Sequence, residues 1–145
     1  MFVGLPASGK STFYHQRFAA THTHISKDLW PGAANKSARQ ARELRAALAA
    51  GTSVVVDNTS PAVTDRAEVI AIARESNARV IGYYFAATTR EAIGRNRGRT
   101  GKARVPEVAI FTTAKRMVVP TRDEGFDELW RVVIQPDGAF EVAAL

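Results

Sequence analysis

Gly4-Leu5-Pro6-Ala7-Ser8-Gly9-Lys10-Ser11 spells the pattern G-x-x-x-x-G-K-[ST] in full, and Thr12 carries it into a stretch with helical spacing. A run of this form turns consecutive backbone N–H groups inward around an anion. The two glycines permit that turn sterically, and the helix that follows adds the positive end of its dipole. Residues Gly4 to Thr12 are therefore the expected nucleotide-phosphate loop, with Lys10 meeting the β and γ phosphates of a nucleoside triphosphate. Ser11, one residue further along the first helical turn, is placed to take a coordination position on Mg²⁺.

The rest of the chain alternates strand and helix signals. Met1 to Val3 reads as the strand entering the loop, Gly9 to Ala20 as a helix, and Thr21 to Ile25 as a short strand. Asp28 follows closely. Apolar residues at Ala34, Ala38, Ala41, Leu44 and Leu48 predict a helix over 33–50, closed by Gly51. Ser53 to Val56 is the clearest buried strand, and it ends at Asp57. Thr59, Ser60 and Pro61 start a helix to about Ser76, with Val63, Ala67, Ile70 and Arg74 on one side. Arg79 to Phe85 is a further strand, Thr88 or Thr89 caps the next helix, and another helix spans the interval from Pro106 to Pro120. Leu129–Ile134, the turn Pro136-Asp137-Gly138 and Ala139–Val142 form a terminal hairpin. The fold class this predicts is α/β, a doubly wound parallel sheet flanked by helices, with ligands gathering at the carboxyl ends of the strands. That rule brings the phosphate loop, Asp28 and Asp57 to one crevice. Asp57, closing Val54-Val55-Val56, has the form of a second nucleotide-site carboxylate, which holds Mg²⁺ directly or through water.

A length of 145 residues with 46% hydrophobic residues suits a single domain over 1–145. There is no cysteine, so neither a disulfide framework nor a thiolate metal site is expected. No long apolar run or export signal is visible, and a cytoplasmic protein with no membrane association is expected. The net charge of +6 suits a polyanionic partner and equally an ordinary basic enzyme. Its strongest local concentration is Arg95-Asn96-Arg97-Gly98-Arg99-Thr100-Gly101-Lys102-Ala103-Arg104. Between two helices of a phosphate-loop fold, such a segment predicts a lid over about 95–105 that brings guanidinium groups onto the γ-phosphate.

Several motifs in one order then carry a family resemblance: Gly4 to Phe13; His24-Ile25-Ser26-Lys27-Asp28; Asp57-Asn58-Thr59-Ser60-Pro61 with Arg66; Arg95-Asn96 leading to Val105-Pro106; and Pro120-Thr121-Arg122-Asp123-Glu124-Gly125-Phe126. In these the sequence resembles the kinase domain of polynucleotide 5′-hydroxyl kinases, the phage and animal end-healing enzymes among the small phosphate-loop kinases. The resemblance implies ATP-dependent phosphoryl transfer to a 5′-hydroxyl end of DNA or RNA, with Mg²⁺. It makes Asp28 the general base, Lys10 the stabiliser of the β/γ oxygens, Ser11 and Asp57 the metal-holding pair, and Arg95 and Arg99 the lid arginines. For Asn58, Arg66 and Phe126 a structural role at strand and helix ends is expected. The chain departs from the family around the base, where relatives carry Asn-Arg or Ser-Ser before the Asp and often an Arg three residues after it. Here those places hold Ser26-Lys27 and Pro31. Only three residues precede Gly4, which makes the first strand short, and no Asp-x-Asp-x-Thr phosphatase signature occurs.

Two other classes of function are open to this sequence: a phosphate-loop kinase of a small metabolite, nucleoside or antibiotic, and a nucleotide-dependent binding module without catalysis. His15, His22 and His24 lack the partners of a metal site and read as structural histidines. Trp30 and Trp130, each beside apolar residues, are expected at the core or its edge.

Overall fold

In the computed structural model, which describes residues 1–145, strands and helices alternate as the sequence pattern requires. β1 (Phe2–Gly4) leads through the glycine-rich loop to α1 (Lys10–Arg17), then β2 (Thr23–Ile25), α2 (Lys36–Ala49), β3 (Val54–Val56), α3 (Val63–Glu75) and β4 (Ile81–Phe85). α4 (Thr89–Arg97), α5 (Glu107–Arg116), β5 (Glu128–Ile134) and β6 (Phe140–Ala144) complete the chain, with single 3₁₀ turns at Lys27–Leu29, Gly101–Ala103 and Arg122–Glu124.

Local chemistry sets the ends of these elements. Asn35 Oδ1 accepts the Ala38 N–H at 2.9 Å and starts α2 later than the apolar pattern alone implies. Gly51, at φ 71°, closes it. Thr88 caps α4 reciprocally with Glu91, whose carboxyl is held below its usual range by the Thr88 hydroxyl and amide.

β1 pairs in parallel with β4, β4 in parallel with β5, and β2 in parallel with β3. The two parts join beside β1, where Phe2 bridges Asp57 and the Gly4 N–H donates to Thr59 O at 3.0 Å. The order across the structure is therefore β2-β3-β1-β4-β5-β6. β1 lies centrally and the sequence direction reverses between it and β3, which is where an open α/β sheet places its ligand crevice. One expectation is refined: β5, predicted as half of a terminal hairpin, also extends the parallel sheet, and only β6 runs antiparallel.

Both faces of the sheet are covered. Phe2, Val55, Phe85 and Val132 pack with Phe13 and Tyr14 of α1 on one face. Ile25 and Val56 pack with Ala41 and Leu44 of α2 and Val69 and Ile72 of α3 on the other. α4 and α5 join the phosphate loop through a small cluster of Leu5, Ala92 and Ile110. An apolar cavity of about 460 Å³ opens at the opposite end of the sheet, lined by Leu44, Leu48, Val54, Val69 and Val80, and it includes no residue of the phosphate loop.

The predicted buried side of α3 is rotated. Val63 is exposed, whereas Arg66, Val69, Ile70, Ile72 and Ala73 are buried. The reason is Arg66, a cation with no exposed side-chain surface that a hydrophobic stripe cannot announce. Its Nε and Nη2 donate to the two Glu124 oxygens at 2.6 and 2.7 Å, and Nη1 donates to the carbonyls of Ser60, Pro61 and Val118 at 3.0, 3.1 and 3.1 Å. One guanidinium thus ties the segment after β3 to the chain after α5. Phe126 is buried with Ile70, Ala73, Val80 and Leu129, so the expected structural roles of Arg66 and Phe126 hold.

The segment expected to form a lid over about 95–105 begins within a helix. Arg95, Asn96 and Arg97 form the last turn of α4, and the loop proper runs over 98–106. Asn96 is wholly buried and exchanges two hydrogen bonds with the Val105 backbone, 2.8 and 3.0 Å, which pins the two stems of the loop together. Trp30 is half-buried against the α2 core, and half-buried Trp130 donates its Nε1–H to Glu128 at 2.9 Å.

Candidate nucleotide and phosphoryl-transfer site

The loop between β1 and α1 is shaped by two glycines for different reasons. A Cβ on Gly4 would stand 2.8 Å from Phe85 Cβ and 2.9 Å from Ser8 Oγ, so only glycine lets β1 pass this close to β4. Gly9 has φ 96° and precedes the first turn of α1. Ala7 adopts φ 60°, a left-handed conformation that costs a non-glycine residue about 1–2 kcal/mol. The amides of Gly9, Lys10 and Ser11 have no hydrogen-bond partner within the chain, as expected at a helix start, and form a concave row of donors for an anion.

Lys10 is buried, and its Nζ folds over the loop, donating to Gly4 O at 3.0 Å and Leu5 O at 2.6 Å, with Ser8 Oγ at 3.4 Å. Burial pulls its ammonium down to about 8; Asp57 acts upward, Arg99 downward and Asp28 upward. Lys10 thus stands within electrostatic reach of three of the predicted site residues. A phosphate arriving in the loop supplies the acceptors that the two carbonyls now provide. Lys10→Ala is expected to lower phosphoryl transfer by about 10²–10³-fold, the scale for removing one preorganised charge donor, and steady-state turnover checks it.

Asp57 is 4% exposed and accepts from Ser11 Oγ at 2.8 Å. This pair of hard oxygen ligands suits Mg²⁺, which prefers carboxylate and hydroxyl oxygens and retains water in its remaining positions. The other contact of Asp57 was not anticipated from sequence: His24 Nε2 lies 3.1 Å from the same Oδ2, with its ring stacked on Tyr14 at 4.0 Å and 14°. The sequence marks His24 only as a structural histidine, because its place on β2 carries no signal of its partner 33 residues away.

Asp28 sits on the 3₁₀ turn at Lys27–Leu29, just beyond β2, and is exposed. Ser26 Oγ accepts its amide at 3.3 Å. The turn is strapped from behind: Asn58 Oδ1 accepts the Lys27 N–H at 3.1 Å, while Asn58 Nδ2 donates to Gln40 Oε1 on α2 at 2.6 Å. Asn58 therefore fixes the position of Asp28 relative to the end of β3, and Gln40, buried on α2, was invisible to pattern reading. Asn58→Ala leaves the buried Gln40 amide unpaired and is expected to cost about 1–3 kcal/mol, read from the denaturation midpoint.

Arg95 donates Nε–H to Ala7 O at 2.9 Å, which places it against the phosphate loop. Arg99 donates to Ala103 O at 3.3 Å within the loop between α4 and α5. Arg97, by contrast, pairs with Glu107 at 2.9 Å and points its charge along the α4–α5 surface.

A phosphate loop between a central parallel strand and its helix, an acid at the end of the neighbouring strand and an arginine-bearing helical hairpin define a P-loop protein of the kinase fold. The chain belongs to the AAA domain family, whose sequence model matches residues 1–120. A bifunctional polynucleotide phosphatase/kinase of Schizosaccharomyces pombe is 29% identical over 136 residues, covering 91% of this chain. A protein of Acanthamoeba polyphaga mimivirus, provisionally given the same name, is 29% identical over 144 residues, covering 94%. The chain spans about a third of the length of these curated relatives, 32% and 33%. Its fold is similar to a sugar kinase from Janibacter sp. HTCC2649 (TM-score 0.66, 19% identity, 93% of this chain and 84% of that one). It is also similar to Kti12 of Chaetomium thermophilum, solved with ADP-AlF3 (TM-score 0.64, 18% identity, 94% and 90%).

Proposed function

We propose that the chain transfers the γ-phosphate of ATP to the 5′-hydroxyl end of a DNA or RNA strand. The observation that supports transfer to an acceptor is Asp28: an exposed carboxylate on the turn just beyond β2, a turn that Asn58 straps to the end of β3. A nucleotide switch has no need of a general base there. The polynucleotide acceptor is supported by the two phosphatase/kinase relatives, which match nearly the whole of this chain.

In this reading the loop amides and Lys10 cradle the β and γ phosphates, and Ser11 and Asp57 would hold Mg²⁺, which would supply charge neutralisation. Asp28 orients the attacking hydroxyl and accepts its proton. Arg95 and Arg99 neutralise charge on the transferring group when the lid closes. Phosphoryl transfer passes through a loose transition state, so positioning and charge neutralisation do most of the work and a carboxylate suffices as base.

A second reading, a kinase of a small metabolite, is favoured by the fold neighbours, which include the sugar kinase and a gluconokinase from Sinorhizobium meliloti 1021. ADP formation with ATP and Mg²⁺ across a panel of acceptors separates the two. Stimulation by 5′-hydroxyl oligonucleotides and not by 5′-phosphorylated ones supports the proposal; stimulation by a sugar, sugar acid or nucleoside alone overturns it. No helix is long and apolar enough to cross a membrane.

A further inference from the structure

Asp57 receives both of its side-chain donors on one oxygen. Ser11 Oγ donates to Oδ2 at 2.8 Å, and His24 Nε2 lies 3.1 Å from the same atom. A carboxylate oxygen only accepts, so Nε2 is the ring nitrogen that carries the hydrogen. Oδ1 takes no bond from the chain. It still reaches solvent, since the one buried side-chain nitrogen or oxygen without a partner is Nε of Arg39 on α2. The carboxylate is therefore oriented, with one oxygen tied and the other open.

The fold holds the histidine in that place from two sides. The parallel register sets His24 opposite Val55, and Asp57, two residues beyond Val55, projects to the same face of the sheet, the one that α1 covers. Tyr14 stands three residues after Ser11 on the same side of α1. Its ring stacks on the His24 imidazole at 4.0 Å and 14°, and its hydroxyl donates to His22 O at 2.8 Å, which ties the ring to β2. Tyr14 is buried and the His24 side chain is 19% exposed, so the imidazole has little room to turn away from Asp57. The choice of side chain also matters. An imidazole donates without carrying a fixed charge, whereas a lysine there would neutralise the carboxylate and repel a cation.

We propose that His24 is a positioning residue for the metal-holding carboxylate: clamped on Tyr14, its Nε2–H fixes Oδ2 of Asp57 and keeps Oδ1 open as a ligand for Mg²⁺. Outer hydrogen bonds of this kind orient ligating carboxylates, and removing one lowers metal affinity or activity about 10- to 100-fold. The assignment rests on the reading of Ser11 and Asp57 as the Mg²⁺ pair and is independent of which acceptor the chain phosphorylates.

Two substitutions separate the hydrogen bond from the packing. His24→Phe keeps a ring for Tyr14 and removes the donor, whereas His24→Gln removes the ring and keeps an N–H within reach of Asp57. In the whole chain, with no acceptor present, binding of a non-hydrolysable ATP analogue is titrated against Mg²⁺, beside a thermal melt without metal. The Mg²⁺ concentration that gives half of the enhancement in binding is expected to rise about 10- to 100-fold in His24→Phe and to stay within about threefold of wild type in His24→Gln. Analogue affinity without metal stays within about twofold of wild type in both, because neither change touches the loop amides. A histidine that only packs gives the reverse order: Phe preserves the melting temperature and the Mg²⁺ response, and Gln lowers both. His24→Leu is the second donor-free variant should His24→Phe not fold. An unchanged Mg²⁺ response in either donor-free variant overturns the role of His24 and leaves the metal pair standing. If wild-type binding does not respond to Mg²⁺, or Asp57→Asn responds as wild type does, the metal pair itself is wrong and the assignment falls with it.

Discussion

Replacing Asp28 with Ala is expected to lower phosphoryl transfer by about 10²–10⁴-fold, the range for removing a general base, while ATP affinity stays nearly unchanged. The separation follows from geometry. In the proposed site ATP is held by the loop from Gly4 to Thr12, whereas Asp28 is exposed on its own 3₁₀ turn, which is bonded through backbone amides to Ser26 and Asn58. Its carboxylate makes no bond to the phosphate loop, so truncating it leaves the anion cradle intact. Asp28→Asn keeps the volume and removes the proton acceptor; a loss as large as in the Ala variant assigns the effect to proton acceptance and hydroxyl orientation together. Isothermal titration with a non-hydrolysable ATP analogue, beside turnover, checks the prediction. Full activity in Asp28→Ala would remove the base from the mechanism.

Arg66→Ala is the substitution with the largest expected cost in stability, about 3–5 kcal/mol, or roughly 10–20 °C in melting temperature for a domain of this size. Arg66 has no exposed side-chain surface and Glu124 has 7%, so the substitution leaves a carboxylate inside the protein without its cation and strands the carbonyls of Ser60 and Val118. Burial pushes the Glu124 carboxyl up, but the Arg66 bonds and the Thr121 amide outweigh it and hold the group below its usual range. A folded value depressed below the unfolded one contributes stability present above the ordinary carboxylate range. That stability is lost as pH falls through the lower, folded value. Wild type should therefore lose part of its stability in mild acid, and Glu124→Gln should show a flatter profile there. A thermal melt of Arg66→Ala within a few degrees of wild type contradicts the assignment.

The contrast between these two residues shows where the sequence was readable. The phosphate loop is contiguous, so its eight residues encode geometry directly, and Asp57 is legible because an apolar strand ends at it. Asp28 follows its strand in the same manner. Arg66 and Glu124 are 58 residues apart, and nothing local distinguishes a buried arginine from a solvated one on a helix. The same blindness turned the predicted face of α3 and concealed the contacts of His24 with Asp57 and of Gln40 with Asn58, because each pairing exists only once β2, β3 and α2 are assembled. The end of α4 was hidden for a related reason: Asn96, inside a charged segment of the sequence, is buried and bonds across to Val105.

The most direct test of the proposed activity is the position of the label after incubation with γ-labelled ATP, Mg²⁺ and a single-stranded 5′-hydroxyl oligonucleotide, followed by digestion to mononucleotides. Label recovered on the 5′ phosphate of the first nucleotide, and none on an oligonucleotide already phosphorylated there, is the predicted result; an unlabelled oligonucleotide from a protein that demonstrably binds ATP would contradict it.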